Sequence, residues 1–347
     1  MGLRQALLTW FDQHARDLPF RHTRDPYAIW VSEVMLQQTR VETVIPYYKR
    51  FMARFPTAND LAAADEDEVM SLWSGLGYYR RARLLHRGVK EVSTHYGGQV
   101  PASAEARRQL PGIGRYTAGA IGSIAFDQPE PIVDGNVARV FSRLYGIDTP
   151  LGQSVTERKL WEAAEALVQG PRPGTLNQAL MELGATVCVK SRPLCDRCPI
   201  ASDCYARAEG QTANLPVPRQ RRAPRKVELI ALAALSNDGQ HVWLTRGDGT
   251  LFGGLWNLPM LEGSDSTAAQ TLLEQTGLRG QLPAEPSAHF THILTHRRLE
   301  VALFAVPVQG QPRASASLRV QRAKTTELDS LGVSSLTRKA LELVESS

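Results

Sequence analysis

Four thiols lie within one seventeen-residue stretch: Cys188, Cys195, Cys198 and Cys204, spaced C-x6-C-x2-C-x5-C, and the chain has no other cysteine. Clustered thiols with no outside partner form either a metal site or disulfides. The sequence opens on MGLRQALLTWFDQHARD, which reads as an amphipathic helix and not as a secretory signal, so metal is the expected outcome. Close pairs at both ends would suit a structural zinc. Here only the middle pair is close, and three unequal loops reach around one centre, which suits a bulkier four-iron cluster.

A second group of side chains could move protons. Glu33 lies in WVSEVMLQQT, beside an apolar stripe of Tyr27, Trp30, Val31, Val34 and Met35. A carboxyl group against aromatic and aliphatic neighbours has a raised pKa and keeps its proton near neutrality. The same residue on a solvated helix face would be an ordinary surface glutamate. Asp134, in VDGNV, stands where an N-cap would open a helix over Gly135–Tyr145. Between them runs LPGIGRYTA, in which Gly112 and Gly114 let the backbone turn sharply. Amides at the start of the following helix, Tyr116–Phe126, then point at a place where an anion can sit. Such a turn also serves as a plain packing corner between two helices.

These groups need a helical frame. Apolar periodicity predicts helices over Leu3–Asp17, Pro26–Gln38, Val41–Phe55, Glu66–Trp73, Ala82–His95 and Lys159–Val168, with no strand before residue 208. Asp25-Pro26 is a helix start signal. GQTANLPVPRQRRAPRKV, residues 210–227, has three prolines, five basic residues and no apolar period, and reads as an exposed linker. Its basic run (Arg219, Arg221, Arg222, Arg225, Lys226) is a solvated tether that could also meet phosphate or a repair protein. Beyond it, VELIALAAL, HVWLTR and LEVALFAVPV have strand character, with helices over Ala268–Thr276 and Ser335–Glu345. The net charge of +5 suits an anionic partner, and the longest apolar run, Leu229–Leu235, is too short to span a bilayer.

LPGIGRYTA, VDGNV and the cysteine spacing together resemble the helix–hairpin–helix DNA glycosylase superfamily, almost continuously over residues 1–208. The array resembles the one that carries a 4Fe–4S cluster in the endonuclease III and MutY branches. The resemblance implies a multidomain protein. Its all-α core would have a six-helix barrel lobe at about 20–130 and an iron–sulfur lobe made of 1–19 with 131–208. A linker at 209–227 and an α+β Nudix-like domain at 228–347 would follow. The endonuclease III relatives have a lysine where this chain has Tyr116, and a phenol cannot form an imine. Tyr116 and the string SEVMLQQT follow the MutY pattern. That implies a monofunctional enzyme excising adenine opposite 8-oxoguanine or guanine in double-stranded DNA. Glu33 would be the acid and Asp134 the stabilising carboxylate, with Asn136 and Tyr116 positioning them. Gln37, Gln178 and Trp30 would shape the base pocket, and Gln38 and Tyr78 would enter the duplex. In the C-terminal domain, TLLEQTGL retains only Glu274 of the metal-binding glutamates, which implies a binder and not a hydrolase. Thr295 and His296, in preference to Thr291 and His292, would read 8-oxoguanine. A cytoplasmic, nucleoid-associated monomer is expected. Two other readings remain: a different mismatch glycosylase of the superfamily, or a non-catalytic iron–sulfur damage sensor.

Overall fold

The computed structural model describes residues 2–219, 223–247, 251–294, 296–310 and 318–345. Helices come first: α1 (Leu3–His14), α2 (Pro26–Leu36), α3 (Val41–Arg54), α4 (Ala58–Ala63), α5 (Glu66–Trp73), α6 (Arg80–His95), α7 (Ala104–Gln109), α8 (Arg115–Phe126), α9 (Gly135–Leu144), α10 (Ser154–Val168), α11 (Pro173–Thr186) and α12 (Tyr205–Ala208). Then come β1 (Arg225–Leu235), β2 (His241–Gly247), β3 (Met260–Glu262), α13 (Ser266–Thr276), β4 (Arg279–Gly280), β5 (Ala288–Ile293), β6 (Arg297–Gln309), β7 (Leu318–Lys324) and α14 (Ser335–Glu345). The chain forms two compact units: Met1–Ala64 with Leu84–Arg221, and Asp65–Arg83 with Arg222–Ser347. Helix α5 and the turn after it therefore group with the strands.

In the first unit α2 is central. Asp25 accepts a hydrogen bond from the Tyr27 amide at 3.0 Å, and Pro26 occupies the first turn. The sequence suggests an apolar stripe; instead every residue from Tyr27 to Met35 is buried. Ala28 and Ile29 fill the side that a surface helix would leave polar, so α2 is enclosed all round. Its neighbour α8 is rich in small residues, which lets chains approach closely. A methyl group at Gly119 would stand 2.3 Å from the Pro131 carbonyl oxygen. At Gly184, on α11, it would meet Asn136 Cβ at 2.6 Å. The fully buried Arg107 joins the ends of the α7–α8 corner. It donates to the carbonyls of Pro101 (3.1 Å) and Ala102 (2.6 Å) and to Gln128 Oε1 (2.9 Å), and pairs with Glu130.

Part of the segment expected to be a free linker packs on this unit. The Leu151 amide donates to Val217 O at 3.0 Å, and Arg143 Nε donates to Leu215 O at 2.8 Å. Arg221 and Arg222 of the basic run lie outside the described residues.

In the second unit a sheet runs β4-β6-β1-β2-β7, with β3 beside β1 and β5 beside β6. Strands β1 and β6 are parallel, with Leu229 opposite Val301; the other pairs are antiparallel. Leu229, Ala231 and Ala233 face a core shared with Leu336, Ala340 and Leu341 of α14. Ile230, Leu232 and Ala234 face Ala269, Leu272 and Leu273 of α13. A strand covered on both faces is why VELIALAAL is a continuous apolar run without alternation. Residues 251–259 form turns held by isolated bridges from Asn257 to Thr245 and from Trp256 to Val333.

The close approach at α8 makes a prediction. Gly119→Val should destabilise the protein in urea by about 1–3 kcal/mol through overpacking. Gly135→Ala, where no atom lies within 4 Å of the added carbon, should leave the unfolding midpoint nearly unchanged.

Candidate active site

Helices α2, α8, α9 and α11 surround a cavity of about 700 Å3 in the first unit. Glu33, only 6 % exposed, faces it from α2. Its Oε2 accepts a hydrogen bond from the Tyr116 hydroxyl at 2.5 Å, and that hydroxyl lies 3.3 Å from Met181 Sδ. Tyr116 sits on the first turn of α8, so the hairpin turn before it sets where the phenol points. Burial pushes the Glu33 carboxyl up to about 7. The Tyr116 hydrogen bond opposes that shift, nearby Asp134 adds to it, and Arg21 opposes it. The Tyr116 phenol is driven far above its ordinary range by its own burial and by the two carboxylates.

Asp134 caps α9: Oδ1 accepts from the Val137 amide at 2.7 Å and Oδ2 from Asn136 Nδ2 at 3.0 Å. Burial raises its pKa, while these two donors and the Arg139 charge pull it back. Capping and a place in the cavity wall coexist, because the acceptor lone pairs outnumber the amides that use them. The site therefore holds two carboxyl groups in unlike settings. One has a single hydroxyl donor and an apolar surround; the other has several donors and a cation.

Gln37, Gln38, Gly112, Gly114 and Gln178 also line the cavity. Gln37 Nε2 donates to Thr117 Oγ1 at 3.4 Å, and Gln38 is exposed with φ +60°. Gly112 has φ +81°, and a Cβ there would meet Leu84 Cβ at 2.8 Å, so the turn admits only glycine. Gly114 caps α8 with open space beside it, where backbone can approach a ligand. Trp30 does not belong to this wall. It is fully buried, and its ring packs beneath Gly88, on the side of α2 turned from the cavity lining.

Three wall residues escaped the sequence reading. Glu182, one helical turn after Gln178 on α11, accepts from Arg16 Nε (2.7 Å), Arg16 NH2 (2.9 Å) and Arg21 NH2 (2.7 Å). These partners outweigh its burial and bring its pKa down to about 2, so it stays ionised beside a Glu33 that does not. The i, i+4 spacing of Gln178 and Glu182 was the available signal.

The four cysteines line a separate cavity of about 30 Å3, with Arg143 and Arg207. None is in a disulfide. Burial and the neighbouring thiols raise Cys195 and push Cys198 up to about 11. Among the described residues, no three His, Cys, Asp or Glu side chains are grouped to hold a single metal ion. The buried Arg143 donates to Cys188 Sγ (3.4 Å) and to the carbonyls of Val189 (2.8 Å) and Lys190 (3.1 Å). Arg139 connects α9 to the same loop, donating to Asn136 Oδ1 (2.8 Å) and Cys188 O (2.7 Å).

In the second unit Tyr78 is 48 % exposed at φ +50°, directly after a turn that holds Gly75 and Gly77, both also at positive φ. Thr295 lies outside the described residues; His296 is exposed beside it in the β5–β6 hairpin loop. The competing pair sits within β5. Thr291 Oγ1 donates to Glu300 Oε2 at 2.7 Å, and the His292 ring packs edge-on against Phe252. Glu274 on α13 accepts from Gln270 at 2.9 Å.

Residues 31–166 match the model of the HhH-GPD superfamily base excision DNA repair proteins, and residues 230–343 that of the NUDIX domain. The chain is similar to a solved thermostable thymine-DNA glycosylase, at 31 % identity and a TM-score of 0.54, over 59 % of this chain and 95 % of that one. It is 39 % identical to the adenine DNA glycosylase of Homo sapiens, over 89 % of this chain and 68 % of the relative. With the adenine DNA glycosylase of Rattus norvegicus it shares 39 % identity, over 99 % of this chain and 78 % of the relative. A cavity with two unlike carboxyl groups behind a glycine hairpin, and likeness of this extent, place the chain in the adenine DNA glycosylase family.

Proposed function

We propose that this protein excises adenine from double-stranded DNA by hydrolysing its N-glycosidic bond, where the adenine faces 8-oxoguanine or guanine. The observation that carries this reading is Glu33, a carboxyl group raised to about 7 by burial in the wall of a nucleotide-sized cavity, with Asp134 nearby. Breaking the bond leaves negative charge on the departing base and oxocarbenium character on the sugar. Protonated Glu33 supplies a proton to adenine N7 and afterwards helps activate water. Asp134, where two hydrogen-bond donors and the Arg139 charge offset part of the effect of burial, balances the sugar cation. Asn136 orients Asp134, and Tyr116 orients Glu33. With Tyr116 in the lysine position of the lyase branch, base release proceeds without an imine at that residue.

The adenosine must leave the stack to reach this cavity. Gln38 and Tyr78, both exposed at positive φ, fill the gap, and the amides after Gly112 and Gly114 take a phosphate. The strand-rich unit reads 8-oxoguanine through the hairpin loop that holds Thr295 and His296. With Glu274 its only remaining carboxylate of that motif, it binds without hydrolysing. Among the described residues no helix is long and apolar enough to cross a membrane; action on DNA suits a cytoplasmic, nucleoid-associated protein. The four cysteines fit a 4Fe–4S cluster: they are thiols outside any disulfide around one cavity, beside the buried Arg143 and the exposed Arg207, whose charges suit an anionic cluster. The cluster would organise the Cys188–Cys204 loop, whose Lys190, Arg192 and Arg197 can meet phosphate.

A single-turnover assay tests the reading. Adenine release from an A:8-oxoguanine duplex, with no thymine release from a G:T duplex, is expected; the opposite preference, or binding without release, contradicts it. Glu33→Gln should cut release by about 100-fold or more while sparing DNA binding. Because the protonated carboxyl is the active form, release should fall as pH rises through about 7. Tyr116→Phe removes the hydrogen bond that holds the Glu33 pKa down, so this falling limb should move to higher pH. A limb that stays in place would show that the phenol does not act on Glu33.

Metal analysis of the purified protein should give about four irons per chain and broad visible absorbance. Cys198→Ser should lose iron together with DNA affinity or folding, before any change in the pocket. One zinc and no iron would contradict the cluster.

A further inference from the structure

Tyr78 stands at the end of a short, tightly organised segment. Trp73 Nε1 donates to Gly77 O at 3.1 Å, closing the turn from one side. Arg81 closes it from the other, donating to Gly77 O at 3.1 Å, with its guanidinium 5.5 Å from the Trp73 ring and 5.3 Å from the Tyr78 ring. The tyrosine therefore projects from a turn whose carbonyls are tied on both flanks. Its direction follows that of α5, the helix that ends at Trp73.

Helix α5 is fixed in turn to the strand-rich part of its unit. Arg246, on β2 and 8 % exposed, pairs with Glu66 Oε1 at 2.9 Å and with Asp67. Its guanidinium also lies 5.6 Å from the Trp256 ring. Met70, 1 % exposed, packs at Gly332, where an added carbon would touch its Cβ at 3.0 Å. Arg83 crosses Gly254, whose φ of +80° and lack of a side chain leave room for the guanidinium. Glu66 and Asp67 are half-exposed, whereas Arg246 is nearly buried and has a second neighbour in Trp256. A buried cation that reaches out to two carboxylates on the first turn of a helix sets the pose of that helix, because leaving it unpaired is costly.

We propose that Arg246 is a positioning residue for Tyr78. By holding Glu66 and Asp67 it makes entry of the tyrosine into the duplex depend on the unit that carries the Thr295–His296 loop. This rests on the reading of Tyr78 as the inserting side chain. Damage reading and strand wedging then belong to one body, and a chain cut before β1 would leave the wedge without its support.

A double-mutant cycle tests this. Dissociation constants for an A:8-oxoguanine duplex are measured in the full chain, with Glu33→Gln present throughout to prevent cleavage. Arg246→Met keeps the apolar stem and removes the charge. It should weaken binding by about tenfold, and the same change in a Tyr78→Ala background should add little, since coupled residues are not additive. Glu66→Gln with Asp67→Asn, which removes the ion pairs from the exposed side, should give the same pattern. That second route keeps the test decisive if Arg246→Met does not fold. If Tyr78→Ala weakens binding but either route adds its full loss to it, the positioning role is overturned and the wedge reading stands. If neither route changes binding, the positioning role is likewise overturned. If Tyr78→Ala itself changes nothing, both the wedge reading and the positioning role fail.

Discussion

Glu33 is a titratable group on a helix that the first unit buries from Tyr27 to Met35. Ionising it there costs about 3 kcal/mol more than in water, as its rise to about 7 implies. The fold does not remove that cost with a basic partner. It provides one phenol, whose own pKa is pushed out of reach, and keeps Arg21 engaged with Glu182. The small residues of α8 follow from the same need, because Tyr116 meets Glu33 only if α8 lies close. The hairpin before α8 thus aims the phenol at the carboxyl group.

Asp134 shows how a second carboxyl group of the same cavity is given a different set of partners. It meets the same burial, yet as an N-cap it collects a backbone amide, and Asn136 and Arg139 stand beside it. Arg139 also bonds Cys188 O, so the helix that presents Asp134 is pinned to the cysteine loop. Loss of order around the thiols would therefore reach the cavity through α9 without any change to a side chain in it.

Much of this was legible in sequence, for identifiable reasons. Capping and proline signals fixed the start of α2, and continuous or periodic apolar residues marked β1, β6 and α14. The hairpin glycines and the cysteine spacing are local patterns: Gly112 and Gly114 lie in the turn before α8, and the four cysteines line one cavity. What stayed hidden depends on residues far apart in the chain. Helix α11 carries Leu176, Ala179, Leu180 and Leu183 at helical spacing, but nothing local marks Glu182 among them as the partner of distant arginines. Arg16 and Arg21 acquire meaning only when α11 packs beside them. Trp30 is three residues from Glu33 and so near it on the helix surface, yet its ring packs beneath Gly88 and not in the cavity wall, a choice that only the tertiary packing makes. The grouping of α5 with the strands rests on Arg246, a residue with no local signature at all.

Everything turns on the protonation of one buried group, so its titration is the direct test. With 13C-carboxyl-labelled glutamate, the NMR resonance absent in Glu33→Gln identifies Glu33, and its shift can be followed from pH 3 to pH 9. A midpoint near 7 is expected from the burial of this carboxyl group. A midpoint near 4.5, the ordinary value for a glutamate, would mean that the fold does not hold the proton and that the acid is another group.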